Sequence, residues 1–252
     1  MKGEDKKLEK ATFAGGCFWC MEPPFEKLNG VVEVIAGYIG GEKEEPTYKE
    51  VSSGTTGHYE AIQIIYEPEK ISYEELLDVF WKQIDPTDAG SSFVDRGQQY
   101  GSAIFYHDDK QRRLAELLKE KLGKSGVFKK PIATKIVEFK IFYKAEDYHQ
   151  DYYKKNPLRY KFYRSRSGRD QFLNEVWRDK KDNELKKKLT PLQHDVTQKK
   201  GTEPPFKTSI GKTKKRVYML ILSLTSRCLS PLINLILAQA GQVLQDRLSL
   251  TI

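Results

Sequence analysis

The chain has 252 residues, of which 38% are hydrophobic and 31% charged, so it can bury the core of one large or two small domains. Its net charge of +8 is concentrated in residues 178–216, which hold 13 Lys and Arg against 5 Asp and Glu. Residues 1–177 are therefore close to neutral. The basic charge is no argument for nucleic-acid binding by this front part, and the Lys-rich run is interpreted as a solvated linker.

The three cysteines, Cys17, Cys20 and Cys228, are too few for a disulfide framework, which favours a reducing compartment. The opening residues MKGEDKKLEKATF carry charges but no apolar run typical of a signal peptide. Together these features predict a cytoplasmic protein.

Predicted strands and helices are mixed without a strict βαβ period over about residues 8–178. Strands are predicted at LEKATFAGG and over residues 31–41, 58–68, 101–107 and 132–143. Helices are predicted after Ser72, with Glu75 at the capping-box position, over 108–123 ending at Gly123, and over 145–156 before Pro157. The mixture predicts a compact α/β or α+β domain.

The stretch GGCFWCMEPPF follows the first predicted strand, so Cys17 is expected at a helix N-terminus. Four interpretations of Cys17 and Cys20 compete. They could be a buried apolar pair, or half of a metal site, although a lone C-x-x-C lacks the second ligand pair of tetrahedral zinc. A thioredoxin-like dithiol fits the spacing, but Phe18 and Trp19 replace the small or proline residues usual between such thiols. The fourth interpretation is a single nucleophile.

A nucleophilic Cys17 requires a helix dipole that lowers the thiol pKa and acid groups that protonate a leaving oxygen. Candidates for the acid groups are Tyr38 in AGYIGG, Glu60 in a strand-like run, and Asp95 and Tyr100 in a Gly-rich loop. Taken singly, each of these has a structural alternative: Tyr38 at the edge of the core, Glu60 facing outward from its strand, and Asp95 capping a loop.

Seven blocks occur in the order of the signature blocks of peptide methionine sulfoxide reductase A, which this chain resembles over about residues 10–177. The blocks are GGCFWC, AGYIGG, SSGTTGHYE, QIDPTD, DRGQQYGSAIFY, AEDYHQDYYKKNP and SRSGRDQFL. The resemblance implies an α+β roll, with a mixed central sheet flanked by helices around a ferredoxin-like core. It also implies an enzyme of protein repair that reduces methionine-S-sulfoxide, free or in proteins.

The resemblance implies that Cys17 is the nucleophile, whose thiolate attacks the sulfoxide sulfur, becomes a sulfenic acid and releases methionine. Phe18 and Trp19 match the apolar wall that receives the S-methyl group. This match explains two aromatic residues where a dithiol exchanger would need none.

The same resemblance makes Glu60 the acid that protonates the sulfoxide oxygen, with help from Tyr38 and Tyr100, and Asp95 a polar residue of the pocket. A carboxylic acid can do this near pH 7 only if burial raises its pKa. Three further residues are ranked below these as near-site candidates: His58, His149 and Tyr153.

The chain departs from many relatives in two ways. It has Gly101 where they have an arginine, and no cysteine between residues 21 and 227, where they carry resolving cysteines. Cys20 is then the in-domain candidate for the resolving thiol, and direct attack by thioredoxin or a small thiol is the alternative. The resemblance implies no metal and no cofactor beyond this external thiol reductant. It also implies a monomer without nucleic-acid or membrane partners.

Residues 188–207 resemble the opening of a methionine sulfoxide reductase B domain, and the resemblance stops after Lys207. Within codon degeneracy, one shifted reading frame gives NEYWENKEEGIYVDIV for residues 207–223 and DKFDSGSGWPSFTRPIE for 232–249, both similar to reductase B. We therefore expect a frameshift near Lys207. The predicted regions are a catalytic domain (1–178), a charged linker with a truncated B start (179–207) and a disordered out-of-frame tail (208–252). No reductase B activity is then expected, and Cys228 is incidental.

Two other functions remain open at this stage. A general thiol–disulfide oxidoreductase would use Cys17 and Cys20 as an exchanging pair. A redox-sensing or methionine-binding module would bind a sulfoxide without consuming it.

Overall fold

The computed structural model describes residues 7–177 and 189–191. The chain divides into two units, Met1–Glu184 and Leu185–Ile252, and the fold given below belongs to the first. The domain boundaries predicted after residues 178 and 207, and the predicted out-of-frame tail, lie outside the described residues.

The strands fall into a large sheet and a separate hairpin. They are β1 (Glu9–Gly15), β2 (Val31–Ile39), β3 (Tyr59–Tyr66), β4 (Ser91–Ser92), β5 (Asp95–Arg96), β6 (Ser102–Tyr106), β7 (Lys135–Glu138) and β8 (Phe142–Lys144). The helices are α1 (Phe18–Glu26), α2 (Tyr48–Ser52), α3 (Tyr73–Trp81), α4 (Asp109–Lys124), α5 (Tyr152–Lys155) and α6 (Pro157–Arg166), with a 3-10 helix at Gln98–Tyr100. Residues 169–177 are also helical.

The large sheet has six strands in the order β7-β6-β1-β3-β2-β8. Strands β6 and β7 are parallel and all other neighbours antiparallel, so the sheet is mixed. Strands β4 and β5 form the hairpin. Three residues, 139–141, connect the two edge strands β7 and β8, which requires the sheet to curl until its edges approach each other. The predicted fold class, an α/β roll with a mixed sheet flanked by helices, is confirmed.

The two faces of the sheet bury different sets of side chains. One face, with Phe13, Ile62, Ile64 and Ile104, packs on α1, α3 and α4 in the main core, where the ring of Phe13 stacks on Phe80 at 4.9 Å. The other face buries a smaller set that includes Phe105. Side chains alternate along a strand, so Glu60 projects from β3 on the same side as Ile62 and Ile64, toward the main core.

Helix α3 begins as the sequence predicts. The Ser72 hydroxyl accepts a hydrogen bond from the Glu75 amide at 3.2 Å, and the Glu75 carboxylate accepts one from the Ser72 amide at 3.1 Å. This reciprocal capping box satisfies two backbone donors that the first turn would otherwise leave unpaired.

The strand region predicted over residues 132–143 contains two strands rather than one. The alternating pattern continues through a crossover, so the segment forms β7 at one edge of the sheet and β8 at the other. The helix predicted to end at Gly123 continues by one residue to Lys124 and is capped by Ser125.

The helix predicted over residues 145–156 is largely wrong as well, because only Tyr152–Lys155 is helical. The Gln150 amide side chain bonds to the backbone of Ala36 as donor and acceptor, at 2.9 Å each, and Asp151 adopts the left-handed conformation (φ 55). These long-range contacts replace the local ones of a helix. Pro157 then starts α6 at its first position, where a missing N–H has no cost.

Two features are absent from the described residues. No helix among them is long and apolar enough to cross a bilayer. Within residues 7–177 and 189–191, no group of three or more His, Cys, Asp or Glu side chains is placed to hold a metal ion.

Candidate active site

Cys17 occupies the N-cap position of α1 and is buried. Gly16 precedes it with φ +85, and a Cβ built there would lie 2.4 Å from the side chain of Ser92. Only glycine permits this backbone conformation and this approach. The Gly-Gly pair before Cys17 is therefore part of what seats the thiol against the β4–β5 hairpin.

Glu60 lies at the start of the same helix. It is 1% exposed, and its Oε2 accepts a hydrogen bond from the backbone amide of Phe18 at 3.2 Å. Burial raises the pKa of Glu60 to about 8, opposed by the Phe18 hydrogen bond and supported by the charge of Asp95. Glu60 is thus mostly protonated at neutral pH, and the outward-facing alternative for this residue is wrong.

The expectation that a helix dipole lowers the thiol pKa of Cys17 is not met in this state. Burial raises the pKa of Cys17 well above its ordinary value, and the charges of Glu60, Cys20 and Asp95 add to this. The Tyr163 hydroxyl alone among the main contributors acts to lower it. One free amide of the helix start is bound to the Glu60 carboxyl rather than to the thiol. Because its pKa is raised, Cys17 is a neutral thiol before substrate arrives.

Asp95 and Tyr163 form the polar side of the site. Asp95 lies on β5, in the hairpin rather than in an irregular loop, and its Oδ2 accepts a hydrogen bond from the Tyr163 hydroxyl at 2.5 Å. Burial raises the pKa of Asp95, while Tyr163 and the charge of Arg169 act to lower it. Tyr163, on α6, thus bonds to Asp95, and its hydroxyl also interacts with the Cys17 thiol.

Tyr38 and Glu60 lie directly opposite each other on β2 and β3. The buried Tyr38 hydroxyl donates to Glu146 Oε2 at 2.8 Å, and Glu146 Oε1 accepts from the Tyr48 amide at 2.8 Å. Burial favours protonation of Glu146, but the hydrogen bonds from the backbone amides of Tyr48 and Glu146 and from the Tyr38 hydroxyl, together with the charge of His149, outweigh it and lower its pKa. The hydroxyl of Tyr38 is therefore committed to an ionised carboxylate.

Tyr100 lies on the 3-10 helix, and burial together with the charges of Glu60, Tyr48 and Cys17 raises its pKa. Burial and the charges of Glu60 and Cys17 also raise the pKa of Tyr48, to about 12. Both tyrosines are thus neutral hydroxyl donors near Glu60 and Cys17. Among the described residues the Tyr100 hydroxyl has no hydrogen-bond partner, unlike that of Tyr38.

Phe18 and Trp19 build an aromatic wall beside the thiol. Trp19 stacks on Tyr152 with ring centroids 3.7 Å apart and planes 7° apart, and its indole N–H donates to His149 Nδ1 at 3.1 Å. The His149 ring is also 4.9 Å from Phe18 and 4.3 Å from Tyr48. Burial lowers the pKa of His149, so it is a neutral ring that fixes the position of Trp19.

The three near-site candidates differ in outcome. His149 contacts both Phe18 and Trp19, as described above. His58 is buried but bonds to the Gly41 amide and the Lys43 carbonyl, which is a structural role. Tyr153 donates to Glu26 at the far end of α1. The structure therefore brings His149 to the site and places His58 and Tyr153 elsewhere.

Cys20 lies one helical turn beyond Cys17, and its amide donates to the Cys17 carbonyl at 3.0 Å. It is fully buried, and burial raises the pKa of its thiol, while the charges of Arg169 and Arg164 act to lower it. The Arg164 guanidinium also donates to the Cys20 carbonyl at 3.1 Å. Both thiols of the C-x-x-C are therefore enclosed by protein.

Sequence reasoning missed five residues that contact the site. Four of them lie in, or within two residues of, one of the seven blocks, whereas Tyr48 lies between two blocks, and nothing in the local pattern marks any of the five as functional. They are Tyr48, Glu146, Tyr152, Tyr163 and Arg169.

A buried thiol at a helix N-terminus, beside a carboxyl that is protonated at neutral pH, is the arrangement of a thiol-based oxidoreductase with a built-in acid. The sequence profile of the family described as "Peptide methionine sulfoxide reductase" matches residues 9–181. The chain therefore belongs to the peptide methionine sulfoxide reductase family.

Two curated relatives illustrate the similarity. The peptide methionine sulfoxide reductase MsrA of Bacillus licheniformis is 59% identical over 177 residues, which are 70% of this chain and 98% of that protein. The MsrA/MsrB protein of Vibrio cholerae is 48% identical over 243 residues, covering 85% of this chain and 64% of that protein. The chain thus spans less than two thirds of the two-domain relative and nearly all of the single-domain one.

Solved structures agree with the fold. Reduced Mxr1 of Saccharomyces cerevisiae matches with a TM-score of 0.56 and 39% identity, over 62% of this chain and 90% of that one. Methionine sulfoxide reductase A of Corynebacterium diphtheriae matches with a TM-score of 0.55 and 32% identity, over 63% of this chain and 79% of that one.

Proposed function

We propose that this chain reduces the S epimer of methionine sulfoxide, free or in proteins, with Cys17 as nucleophile and Glu60 as general acid. The observation that carries the proposal is the hydrogen bond from the Phe18 amide to Glu60. It holds a carboxyl whose pKa is about 8 at the first residue after the nucleophile. A protonated acid beside a thiol suits the transfer of an oxygen from sulfur to sulfur.

In the first step, the sulfur of Cys17 bonds to the sulfur of the sulfoxide while Glu60 supplies a proton to the sulfoxide oxygen. The hydroxyl group then passes to Cys17 as the S–S contact breaks, giving methionine and the sulfenic acid of Cys17. The substrate sulfur gains two electrons and the Cys17 sulfur loses two. The thiol proton of Cys17 returns to the Glu60 carboxylate, so the step balances without a cofactor.

Tyr100 is the hydroxyl that assists Glu60 at the sulfoxide oxygen. Its hydroxyl has no partner among the described residues, and its raised pKa keeps the proton available for a hydrogen bond. Tyr38 acts less directly, because its proton is already donated to Glu146. Asp95, held by Tyr163, provides the polar side of the pocket.

Phe18 and Trp19 receive the S-methyl group of the substrate. Trp19 is held on one face by Tyr152 and at its N–H by His149, so its ring offers a fixed apolar surface. A fixed wall that accepts a methyl group on one side of the sulfoxide would select one epimer at sulfur. This geometry supports selection of one epimer, and the assignment of the S epimer rests on the resemblance to the family.

We further propose that Cys20 regenerates Cys17. The Cys20 thiol attacks the Cys17 sulfenic sulfur, a disulfide forms and water leaves. An external dithiol, thioredoxin in the cell, then reduces the disulfide by two electrons. The i, i+3 placement of the two residues supports this proposal. Direct attack by the external thiol on the sulfenic acid is the alternative.

The absence of reductase B activity also stays a proposal. The alignment with the Vibrio cholerae MsrA/MsrB protein covers 85% of this chain, against 70% for the Bacillus licheniformis MsrA, which supports a B-like segment after the A domain. Apart from residues 189–191, the segment concerned lies outside the described part of the chain. Action as a monomer in the cytoplasm is proposed on the sequence alone.

The test is a reduction assay with separated S and R epimers of a methionine sulfoxide peptide, without any external thiol. We expect the wild-type chain to convert the S epimer stoichiometrically and to leave the R epimer unchanged. Binding of the S epimer without conversion would favour a sensor module. Disulfide reduction in a standard exchange assay, without sulfoxide conversion, would favour a thiol–disulfide oxidoreductase.

A further inference from the structure

Arg169 is the largest side chain that the described part of the chain buries completely, with 1% of its surface exposed. It is the first residue of the helical segment 169–177, and the Ser167 hydroxyl accepts its amide hydrogen at 3.2 Å. Arginine ion pairs within the described residues involve Arg96, Arg112 and Arg164 but not Arg169. Burying a cation without a carboxylate partner costs desolvation free energy, which indicates that Arg169 has a specific role at this position.

The guanidinium of Arg169 ties together three separate segments around the nucleophile. One terminal nitrogen donates to the Gly15 carbonyl at 3.0 Å and to the Ser92 hydroxyl at 3.2 Å. The other donates to the Gln83 carbonyl at 2.5 Å and contacts Met21 Sδ at 3.6 Å. The contacts thus join the turn before Cys17, the hairpin that carries Asp95, and the segment that follows α3.

The packing around Arg169 allows little adjustment. Its guanidinium carbon lies 4.9 Å from the centre of the Phe93 ring, and Phe93 itself has φ 59, which is uncommon for a residue other than glycine. A Cβ on Gly16 would come within 2.8 Å of an Arg169 nitrogen. The turn Gly15–Gly16–Cys17 therefore packs directly on this guanidinium.

The charge of Arg169 also reaches the acidic groups of the site. It acts to lower the pKa of Asp95, and it is the largest influence acting to lower the pKa of Cys20. Asp95 accepts the Tyr163 hydrogen bond, and Tyr163 in turn interacts with Cys17. The cation thus favours an ionised Asp95 that holds Tyr163 in place.

From these contacts we propose that Arg169 is a positioning residue for sulfoxide reduction. It holds the Gly15–Gly16–Cys17 turn and the Asp95 hairpin in one fixed arrangement, so that Cys17 and the polar side of the pocket meet the substrate together. This inference rests on the proposed role of Cys17. It assigns to Arg169 no contact with the substrate.

The test compares single-turnover reduction of an S-sulfoxide peptide by the wild-type full-length chain and by Arg169→Ala and Arg169→Lys. We expect the maximal rate of Arg169→Ala to fall by about 100-fold, the loss typical of a slightly misplaced reacting group, while the half-saturating substrate concentration stays the same. Lysine keeps the charge but cannot bond three acceptors in a fixed fork, so Arg169→Lys should also be slow. Methylguanidinium, at a concentration harmless to the wild type, should restore much of the Arg169→Ala rate.

Leu76→Ala is the control: Leu76 is fully buried on α3, so its truncation should destabilise the fold, and it makes none of the hydrogen bonds described above for Arg169. An unchanged rate in Arg169→Ala, an equal rate loss in Leu76→Ala, or failure of methylguanidinium to raise the rate would overturn the proposal. If Arg169→Ala does not fold, the proposal is tested with Arg169→Lys alone. A wild-type rate of sulfoxide reduction by Arg169→Lys would then contradict it. Failure of the proposed function is recognised separately, by a Cys17→Ser variant that still reduces the sulfoxide.

Discussion

The backbone amide of Phe18 donates a hydrogen bond to Glu60 Oε2 across 3.2 Å, which joins the first residue of α1 to the second residue of β3. The contact places a buried carboxyl at the positive end of the helix that Cys17 caps. Burial nevertheless dominates, and the pKa of Glu60 is raised to about 8. Glu60, from β3, is thereby bound by the amide of the residue that follows the nucleophile Cys17.

Glu60→Gln should slow single-turnover sulfoxide reduction by roughly 100-fold to 10,000-fold, the usual contribution of a general acid. Glutamine keeps an acceptor for the Phe18 amide, so the fold should be retained. In the wild type, the protonated fraction of Glu60 falls as the pH rises through about 8, and the rate should fall with it. The variant should lack this alkaline limb. Glu74→Gln, at the exposed start of α3, is the control, and equal rates in both variants would argue against Glu60 as the acid.

Cys20→Ser should complete one turnover at the wild-type rate and then stop when thioredoxin is the reductant. The reason is that Cys20 is proposed to convert the sulfenic acid of Cys17 into a disulfide that thioredoxin can reduce. Steady-state assays with thioredoxin, and with a small dithiol as a second reductant, measure this. Normal steady-state turnover of Cys20→Ser with thioredoxin would instead support direct attack on the sulfenic acid.

Trp19→Ala should lower kcat/KM for an S-sulfoxide peptide by roughly 10-fold to 200-fold, the range for loss of an apolar contact to a small group. Trp19 is held by Tyr152 and His149 beside the thiol, whereas Trp81 is buried on α3. Trp81→Phe therefore serves as the matched aromatic control and should keep its kcat/KM. An unaffected Trp19→Ala variant would mean that the methyl group of the substrate binds elsewhere.

Tyr100→Phe should reduce the maximal rate more than Tyr38→Phe does. Removal of a hydrogen-bond donor at a developing oxyanion costs about 100-fold to 1,000-fold, and the Tyr100 hydroxyl has no hydrogen-bond partner among the described residues. The Tyr38 hydroxyl donates to Glu146 instead. Tyr66→Phe is the control, because Tyr66 lies at the other end of β3 and its hydroxyl donates to Glu9. The reverse order of the two rate losses would assign to Tyr38 the hydroxyl that assists Glu60 at the sulfoxide oxygen.

The sequence predicts much of the fold because its strands and caps use local signals. Alternation identifies β1, β2, β3 and β6, and the Ser72–Glu75 box marks the start of α3. Alternation also continues through residues 139–141, where the chain crosses between sheet edges, and a local pattern cannot show that crossing. Helix α2 was missed although Thr47 and Glu50 form a capping box, since its five residues carry no apolar period.

The candidate site divides in the same way. The position of Cys17 at a helix start follows from the strand–Gly-Gly junction, whereas the strand pattern around Glu60 left an outward-facing carboxyl open and the structure shows it buried. The assigned roles, however, came from the resemblance to a family. Tyr163 and Arg169 lie in the strongly basic stretch YRSRSGRD, which is typical of a solvated surface. Their burial depends on contacts with Asp95, Gly15 and Gln83, distant in sequence, so no local pattern could have revealed it.

The most direct test of the central claim is the mass of the protein after one equivalent of an S-sulfoxide peptide, with no reductant present. The Cys20→Ser variant should gain one oxygen atom as one equivalent of methionine peptide appears. Fragmentation should locate this oxygen at Cys17, and a reagent specific for sulfenic acids should label the same residue. Cys17→Ser should gain nothing and produce no methionine peptide. Methionine formed by Cys17→Ser, or an oxygen on any residue other than Cys17, would contradict the account.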